Sequence, residues 1–151
     1  MTVAQEVGRV QRHIEDVWGY VKEMNNWAVN MPGYVDYQEV SEDVSLWTLK
    51  VEAGMFKRDV EFTVTKTEFI EPTELTFTLK AKKEGIVGSG SFKASIVDEQ
   101  TTDIEINLQM VGKGMMEGMI NNLLAKTLPN QCKELKDNIK QVLESEEVKS
   151  K

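Results

Sequence analysis

Two different periodicities divide this chain, and together they leave few folds open to it. Between residues 34 and 110, apolar and polar side chains alternate, a pattern typical of strands that bury one face. The clearest example is the segment 75–82, LTFTLKAK, in which every second residue is apolar. From Met116 onward the spacing becomes that of a helix with one apolar stripe, which continues through Cys132 and Ile139. We therefore expect the final helix to cover the apolar face of a sheet.

The same patterns predict where the individual elements lie. A first strand is predicted over residues 3–12, a helix over 14–23 and a short helical turn over 25–30, before Pro32 and Gly33 reverse the chain. Further strands are predicted at 34–41, 45–53, 60–65, 75–82, 86–96 and 104–110, with polar turns at 41–43 and 71–73. A helix over 113–145 would be about 50 Å long, whereas a sheet of six or seven strands is about 30 Å wide, so the helix could cross the whole sheet. Pro129 should kink this helix.

This order of elements indicates an α+β fold. Two short helices follow the first strand, and a long C-terminal helix lies on one face of a curved antiparallel sheet of six to seven strands. A twisted sheet that wraps around a helix does not always close its core, so we expect a cavity between them. We expect one domain over residues 1–145 and a disordered tail over residues 146–151.

Composition narrows the classes of function. The 151 residues carry a net charge of −7, which argues against non-specific binding to nucleic acid. The longest apolar runs fall far short of the ~20 residues that span a bilayer, and the N-terminus lacks the pattern of a signal peptide. The single cysteine, Cys132, cannot form an internal disulfide. These features together predict a cytoplasmic protein with no integral membrane segment and no nucleic-acid partner.

Little in the sequence indicates catalysis. His13 is the only histidine and stands at the start of the first helix, where it would be exposed or act as a cap. Cys132 lies on the apolar stripe, and no histidine is placed by the sequence to activate it. The Cys, His and carboxylate sets that hold zinc are absent. We therefore predict no catalytic residue, no metal and no cofactor, and the sequence favours a binding protein over an enzyme.

The apolar face of the predicted sheet and helix supplies the candidate ligand-binding residues. Methionine thioethers adapt to varied shapes, which suits a pocket for apolar ligands. Trp27 could form a lid over this pocket, and Glu117, Asn121 or Asn122 could supply its polar contact; ordinary packing or exposure to solvent is the alternative for each. The candidates are the aromatic, methionine and aliphatic side chains of Trp27, Met31, Met55, Phe62, Phe77, Phe92, Met110, Met116, Met119, Ile120 and Leu123.

Several short motifs, taken in order, resemble those of one known family. Val17-Trp18, Trp27 and Met31-Pro32-Gly33 are similar to the opening segment of the CoxG-like family, which is named after a component of carbon monoxide dehydrogenase. Two strand segments of the family are similar to Ala53-Gly54-Met55-Phe56-Lys57 and Gly88-Ser89-Gly90-Ser91-Phe92. The approach to its last helix is similar to Val111-Gly112-Lys113-Gly114. That family belongs to the SRPBCC (START/polyketide cyclase) superfamily, which has the helix-grip fold. The resemblance covers about residues 3–143, and His13-Ile14 and Glu23-Met24-Asn25 depart from the family pattern.

The resemblance implies a deep apolar cavity between sheet and C-terminal helix, and no fixed catalytic residues. We therefore expect binding or transport of a hydrophobic small molecule, such as a lipid, a fatty acid or a polyketide-like ring. Two alternatives stay open: a polyketide cyclase or dehydratase, and an accessory or assembly protein for a carbon monoxide dehydrogenase-type redox enzyme. The exposed edge of an open sheet would also allow a homodimer.

Overall fold

A computed structural model describes residues 1–145. The elements, in chain order, are β1 (Thr2–Val10), α1 (Ile14–Val21), α2 (Met24–Asn30), β2 (Tyr34–Glu39), β3 (Val44–Ala53), β4 (Phe56–Ile70), β5 (Glu74–Ala81), β6 (Ile86–Asp98), β7 (Thr101–Gly112) and α3 (Glu117–Glu144). This order confirms the predicted α+β fold, in which two short helices follow the first strand and a long helix follows the last. The predicted tail, residues 146–151, lies outside the described residues.

The strands form one seven-stranded sheet in the order β1-β7-β6-β5-β4-β3-β2, and every neighbouring pair is antiparallel. From β2 to β7, strands that follow each other in the chain are neighbours, because each connection is a short turn. β1 instead pairs with β7, from Thr2 opposite Met110 to Val10 opposite Thr102. The sheet edges are therefore β1 and β2, and the backbone of α3 lies closest to β1 and β7.

One face of the sheet is apolar because the alternation in the sequence directs the apolar side chains to the same side. In β5, Phe77 and Leu79 are buried, whereas Thr78 and Lys80 are exposed. The apolar stripe of α3 packs onto this face, and Leu128 on that stripe is completely buried. Burial of one large apolar side chain contributes roughly 1.5–3 kcal/mol, so this shared face holds sheet and helix together.

Several predicted boundaries differ from those of the structure, and β4, predicted at 60–65, spans Phe56–Ile70. β1 ends at Val10 rather than at residue 12, because the chain turns toward the C-terminal end of α3, where Arg12 donates to the carbonyl of Leu143 (2.8 Å). α1 ends at residue 21 rather than 23. α3 begins at Glu117 rather than at residue 113, because Gly114 has a φ of 125°, which a helix cannot contain.

The tight turn between β3 and β4 also differs from the expectation. Gly54, with a φ of 60°, reverses the chain, and Met55 follows it within the turn. The side chain of Met55 is completely exposed. Alternation assigns a side chain to a face only inside a strand, so the predicted placement of Met55 on the apolar face of the sheet is wrong.

Pro129 lies inside α3, and the helix continues through it. Proline has no N–H, so the carbonyl four residues earlier, at Ala125, loses its helical hydrogen bond. Two residues before the proline, the hydroxyl of Thr127 donates to the carbonyl of Leu123 (3.0 Å), a contact that often bends helices. The segment 125–129 therefore has one backbone hydrogen bond fewer than a regular helix. No helix among residues 1–145 combines the length and apolarity needed to span a bilayer.

Gly90→Ala is expected to destabilise the fold by about 1–3 kcal/mol, because a Cβ at this position would lie 2.4 Å from Cζ of Phe77 in a packed core. Gly118→Ala in α3 is the control, since a Cβ there meets nothing within 4 Å. Alanine at that position, in the first turn of α3, should leave the stability nearly unchanged or raise it by less than about 1 kcal/mol. Denaturant titration followed by tryptophan fluorescence measures both changes, and equal stability of the two variants would contradict the close packing of β6 on Phe77.

Candidate ligand-binding interior

An aromatic cluster lies between α2 and the sheet. Trp27 of α2 is completely buried and meets Phe77 and Phe92 edge-to-face, at 5.4 and 6.0 Å between ring centroids. The indole N–H of Trp27 donates to the carbonyl of Val21 (2.7 Å), which fixes α2 against the end of α1. In the described conformation Trp27 is therefore packed into the wall of the interior.

Beside Trp27 the interior contains a void of about 10 Å³, which is about the space that one water occupies. Its walls come from α2, α3 and four strands of the sheet, and all of them are apolar side chains. They are Trp27, Met31, Trp47, Leu49, Phe62, Phe77, Leu79, Leu108, Met110 and Leu135. Because these walls offer water no hydrogen-bond partner, the space suits apolar atoms.

A second void, of about 30 Å³, lies between β3, β4 and the N-terminal part of α3. It shares Met31, Leu49, Phe62 and Met110 with the first void, so these four side chains lie between the two. The other residues that line it are Val51, Phe56, Val60, Ile86, Leu123, Leu124, Thr127 and Gln131. Two of the four separating side chains are methionines, whose flexible chains repack readily.

Thr127 and Gln131 connect the second void with the outside. Both line the second void, and both also line an open cleft of about 370 Å³ between α3, the start of β2 and the end of β3. The other residues of this cleft are Pro32, Gly33, Lys50, Glu52, Lys126 and Asn130. Thr127 and Gln131 therefore lie between the second void and the open cleft, and Met31 and Met110 lie between the second void and the void beside Trp27.

Asn121 holds the N-terminal part of α3 against the end of β7. Its side-chain oxygen accepts from the N–H of Gly112 (2.8 Å), and its side-chain nitrogen donates to the carbonyl of Gly112 (3.2 Å). Ile120 covers the same glycine so closely that a Cβ there would lie 2.6 Å from Cγ2 of Ile120. Of the three polar residues suggested by the sequence, Asn121 thus binds backbone, while Glu117 and Asn122 are exposed.

The C-terminal part of α3 is held separately. Asn138 donates to the carbonyl of Asn30 at the end of α2 (2.9 Å). The carboxylate of Glu144 accepts from the N–H of Gln11 (2.9 Å). The two parts of α3 on either side of Pro129 therefore have independent attachments.

The structure brings part of the predicted ligand-binding set together. The inner void is lined by Trp27, Met31, Phe62, Phe77 and Met110, and the second void also by Leu123. Phe92 and Ile120 are completely buried next to this interior, against Trp27 and Gly112.

The remaining three predicted residues lie elsewhere. Met55 is in the β3–β4 turn, and Met119 is half-exposed on α3. Met116 is half-buried and immediately precedes α3, against the edge of the core. The structure does not bring these three methionines to either void.

Sequence reasoning missed several residues that line the voids. Trp47, Leu49 and Leu108 follow the same alternation as the predicted residues, so that signal was sufficient to find them. Thr127 and Gln131 carry no such signal, because a polar residue on a helix looks like a solvent-facing one until the partner of that helix face is known.

The interior lacks the groups that acid–base chemistry needs. The residues that line the two voids include no titratable side chain. The prediction that His13 caps the first helix is confirmed, because its Nδ1 accepts a hydrogen bond from the N–H of Glu15 at the start of α1 (3.0 Å). Within residues 1–145, no group of three or more His, Cys, Asp or Glu side chains could hold a metal ion. This arrangement surrounds the two voids mainly with apolar side chains.

A larger concavity, of about 620 Å³, lies on the outer face of β1, β6 and β7. Arg9 and Asp103 form an ion pair across it through two hydrogen bonds, of 2.7 and 3.1 Å. Lys93 and Glu105, directly opposite each other on β6 and β7, also line it. Because this surface is open and its opposite charges already face each other, we place the candidate site in the interior instead.

Solved structures with the same architecture match nearly the whole chain. A conserved protein from Geobacillus kaustophilus has a TM-score of 0.78 at 10% identity, with 94% of this chain and 95% of that protein covered. A START superfamily protein from Mycobacterium smegmatis has a TM-score of 0.68 at 12% identity, with 93% and 98% covered. The Zhui aromatase/cyclase from a Streptomyces species has a TM-score of 0.60 at 11% identity, with 93% and 95% covered. The chain therefore has the helix-grip fold of the START/SRPBCC superfamily.

A protein-family model matches residues 1–150, and the chain belongs to the family that this model defines. No curated protein matches the sequence. At 10–12% identity the solved structures establish the fold and nothing narrower. The resemblance to the CoxG-like family is not confirmed by these comparisons and stays a prediction.

Asn121→Ala is expected to release the N-terminal part of α3, because the N–H and the carbonyl of Gly112 both lose their side-chain partner, at a cost of about 1–3 kcal/mol. Hydrogen exchange should accelerate in residues 117–128, while residues 130–144 keep their protection. Asn122→Ala, at an exposed position on the same turn, is the control and should exchange like the wild type. If both variants exchange alike in residues 117–128, Asn121 does not fasten the helix.

Cys132 is expected to be almost unreactive in the folded protein. The residue is completely buried, and burial raises the pKa of its thiol to about 11. At pH 8 only about one thiol in a thousand is then ionised, and the thiolate is the form that attacks a disulfide reagent. Labelling with a chromogenic disulfide should therefore be slow in buffer and fast in denaturant. Fast labelling of the native protein at pH 8 would show that the thiol is accessible.

Proposed function

We propose that this protein binds a hydrophobic small molecule, such as a lipid, a fatty acid or a polyketide-like ring, between its sheet and α3. The observation that carries the proposal is the pair of adjoining voids, which share four apolar side chains and lead outward to Thr127 and Gln131. Desolvation would drive binding, since each Å² of apolar surface buried contributes about 25 cal/mol. The two polar side chains at the outer end would orient a ligand that carries a polar group.

Binding of such a molecule requires the interior to expand. Pockets for ligands of this kind usually measure about 300–1,000 Å³, whereas the two voids measure about 10 and 30 Å³. The deep cavity predicted from the sequence is therefore absent from the described conformation of residues 1–145, and we propose that this conformation is a closed one. The expansion we propose is an outward movement of residues 117–128 about Pro129, while residues 130–144 stay on the sheet.

The packing of α3 supports this movement. Its backbone lies closer to β1 and β7 than to β3 and β4. The space toward β3 and β4 is filled by side chains, among them Phe56 and Leu123. Side chains that fill this gap can repack, so a ligand could replace them there, and the movement would break the two hydrogen bonds between Asn121 and the backbone of Gly112.

A polyketide cyclase or dehydratase is the second candidate, because one protein with this fold is an aromatase/cyclase. Such an enzyme needs an acid or base beside its substrate, and the polar side chains that line the voids are those of Thr127 and Gln131 only. The lining therefore favours binding over catalysis. An accessory role for a carbon monoxide dehydrogenase-type redox enzyme rests on the sequence resemblance, and co-purification with such an enzyme tests it.

Uptake of a fluorescent fatty acid tests the proposed function directly. Trp27 and Trp47 line the inner void, so energy transfer to a bound fluorophore should lower their emission. Organic extraction of the purified protein, followed by mass spectrometry, should also release a bound apolar molecule. If the protein takes up no fatty acid and releases no apolar molecule, the proposal is wrong.

Leu123→Phe is expected to weaken fatty-acid binding about tenfold or more, because a ligand must then displace an added ring, at a cost of roughly 1–3 kcal/mol. Leu123 is buried and lines the second void. Met119→Phe is the control, since it introduces the same ring on the same helix at a half-exposed position outside the void. Thermal unfolding separates loss of binding from loss of folding. Equal affinity of the two variants would show that the ligand does not occupy this interior.

A further inference from the structure

One end of the molecule carries exposed apolar side chains that contribute little to the core. Met55 and Met115 are completely exposed, and Met119 is 49% exposed. Phe56, next to Met55, is half-buried. These residues come from the turn between β3 and β4 and from the loop and first turn that follow β7, so two separate parts of the chain expose apolar surface at this end.

Three loops meet at this end, which we call the tip: residues 53–58, 82–85 and 112–117. The antiparallel sheet places the β3–β4 turn, the β5–β6 turn and the end of β7 at the same end. The N–H of Lys113 donates to the carbonyl of Gly85 (2.6 Å), and Arg58 forms an ion pair with Glu84 (3.2 Å), so the loops contact each other. Phe56 of the tip also lines the second void, so the tip lies next to the candidate interior.

The tip is positively charged although the protein is acidic. Its basic side chains are those of Lys57, Arg58, Lys82, Lys83 and Lys113, and its acidic ones are those of Glu84 and Glu117. The tip therefore has a net charge of +3, whereas the whole chain carries −7. Glu84 is buried against Arg58, and all four lysines are exposed. Counting the flanking Glu52 and Asp59 reduces the positive excess without reversing it.

We propose that the tip docks on the surface of a lipid bilayer that contains anionic lipid. Exposed lysines attract anionic headgroups, and each lysine near such a surface strengthens binding about five-fold. Apolar side chains beside them, here Met55 and Met115, enter the boundary between headgroups and acyl chains. An acidic protein surface would pair with the lysines but would leave both methionines without an apolar partner. A bilayer accounts for the charge and the exposed apolar side chains together.

Sedimentation with vesicles tests this docking. The wild-type protein should bind vesicles of phosphatidylcholine and phosphatidylserine, weakly bind vesicles of phosphatidylcholine alone, and dissociate as salt screens the lysines. Lys82→Gln, Lys83→Gln and Lys113→Gln should each lower the partition coefficient about five-fold. Lys22→Gln is the matched control, because Lys22 is exposed at the end of α1, outside the tip.

A probe on one introduced cysteine locates the surface that touches lipid. Cys132 is completely buried, so an environment-sensitive nitrobenzoxadiazole label reacts with the new cysteine in the folded protein. Labelled Met55→Cys should brighten and shift to the blue on phosphatidylserine-containing vesicles. Labelled Ile96→Cys is the control, because Ile96 is also exposed but lies at the opposite end of β6.

Three results would each overturn the proposal: no sedimentation of the wild type with phosphatidylserine-containing vesicles, tip variants that bind as well as Lys22→Gln, or equal responses of the two labels. The first result would leave an acidic protein as the partner of the lysines. Docking requires only the tip, so it does not depend on a ligand in the interior. Fatty-acid uptake measured without vesicles reports on the interior alone, and the two proposals can therefore fail separately.

Discussion

Burial of one continuous apolar face against α3 and α2 is the constraint on which the rest of this structure depends. Trp27 lies at the centre of that face, between Phe77 and Phe92. The carbonyl of Val21 accepts from its indole, so this large side chain is buried without an unsatisfied donor. The short helices therefore have a structural role, because they deliver Trp27 to the sheet.

The fold was predictable from the sequence because its main signal is local. Alternation in β5 and β7 places Phe77 and Met110 on the inward face, and the helical stripe places Leu123 opposite them. Each of these assignments needs only the period of its own segment. The same signal also applied to Trp47 and Leu108, so most of the void lining was within reach of sequence reasoning.

The remaining features depend on contacts between distant segments, which periodicity does not encode. Asn121 has the sequence context of an exposed helix residue, yet both polar atoms of its amide bind Gly112. Met55 extends an alternating run by one more step, but Gly54 ends the strand before it. The size of the interior is also beyond sequence reasoning, because the volume left between side chains follows from how α3 rests on the sheet.

Pro129 divides α3 into two parts, and in the movement proposed above the first part would rotate about the proline. The part of the helix before it, residues 117–128, is about 18 Å long at 1.5 Å per residue. A rotation of ~15° at the proline would carry its far end about 5 Å, while the helix beside Gln131 would hardly move. The space so created would be a narrow slot that runs from Gly112 toward the outer end at Thr127 and Gln131. A narrow slot admits a slender chain lengthwise more readily than a bulky ring, and it would close again without any part of the sheet having shifted.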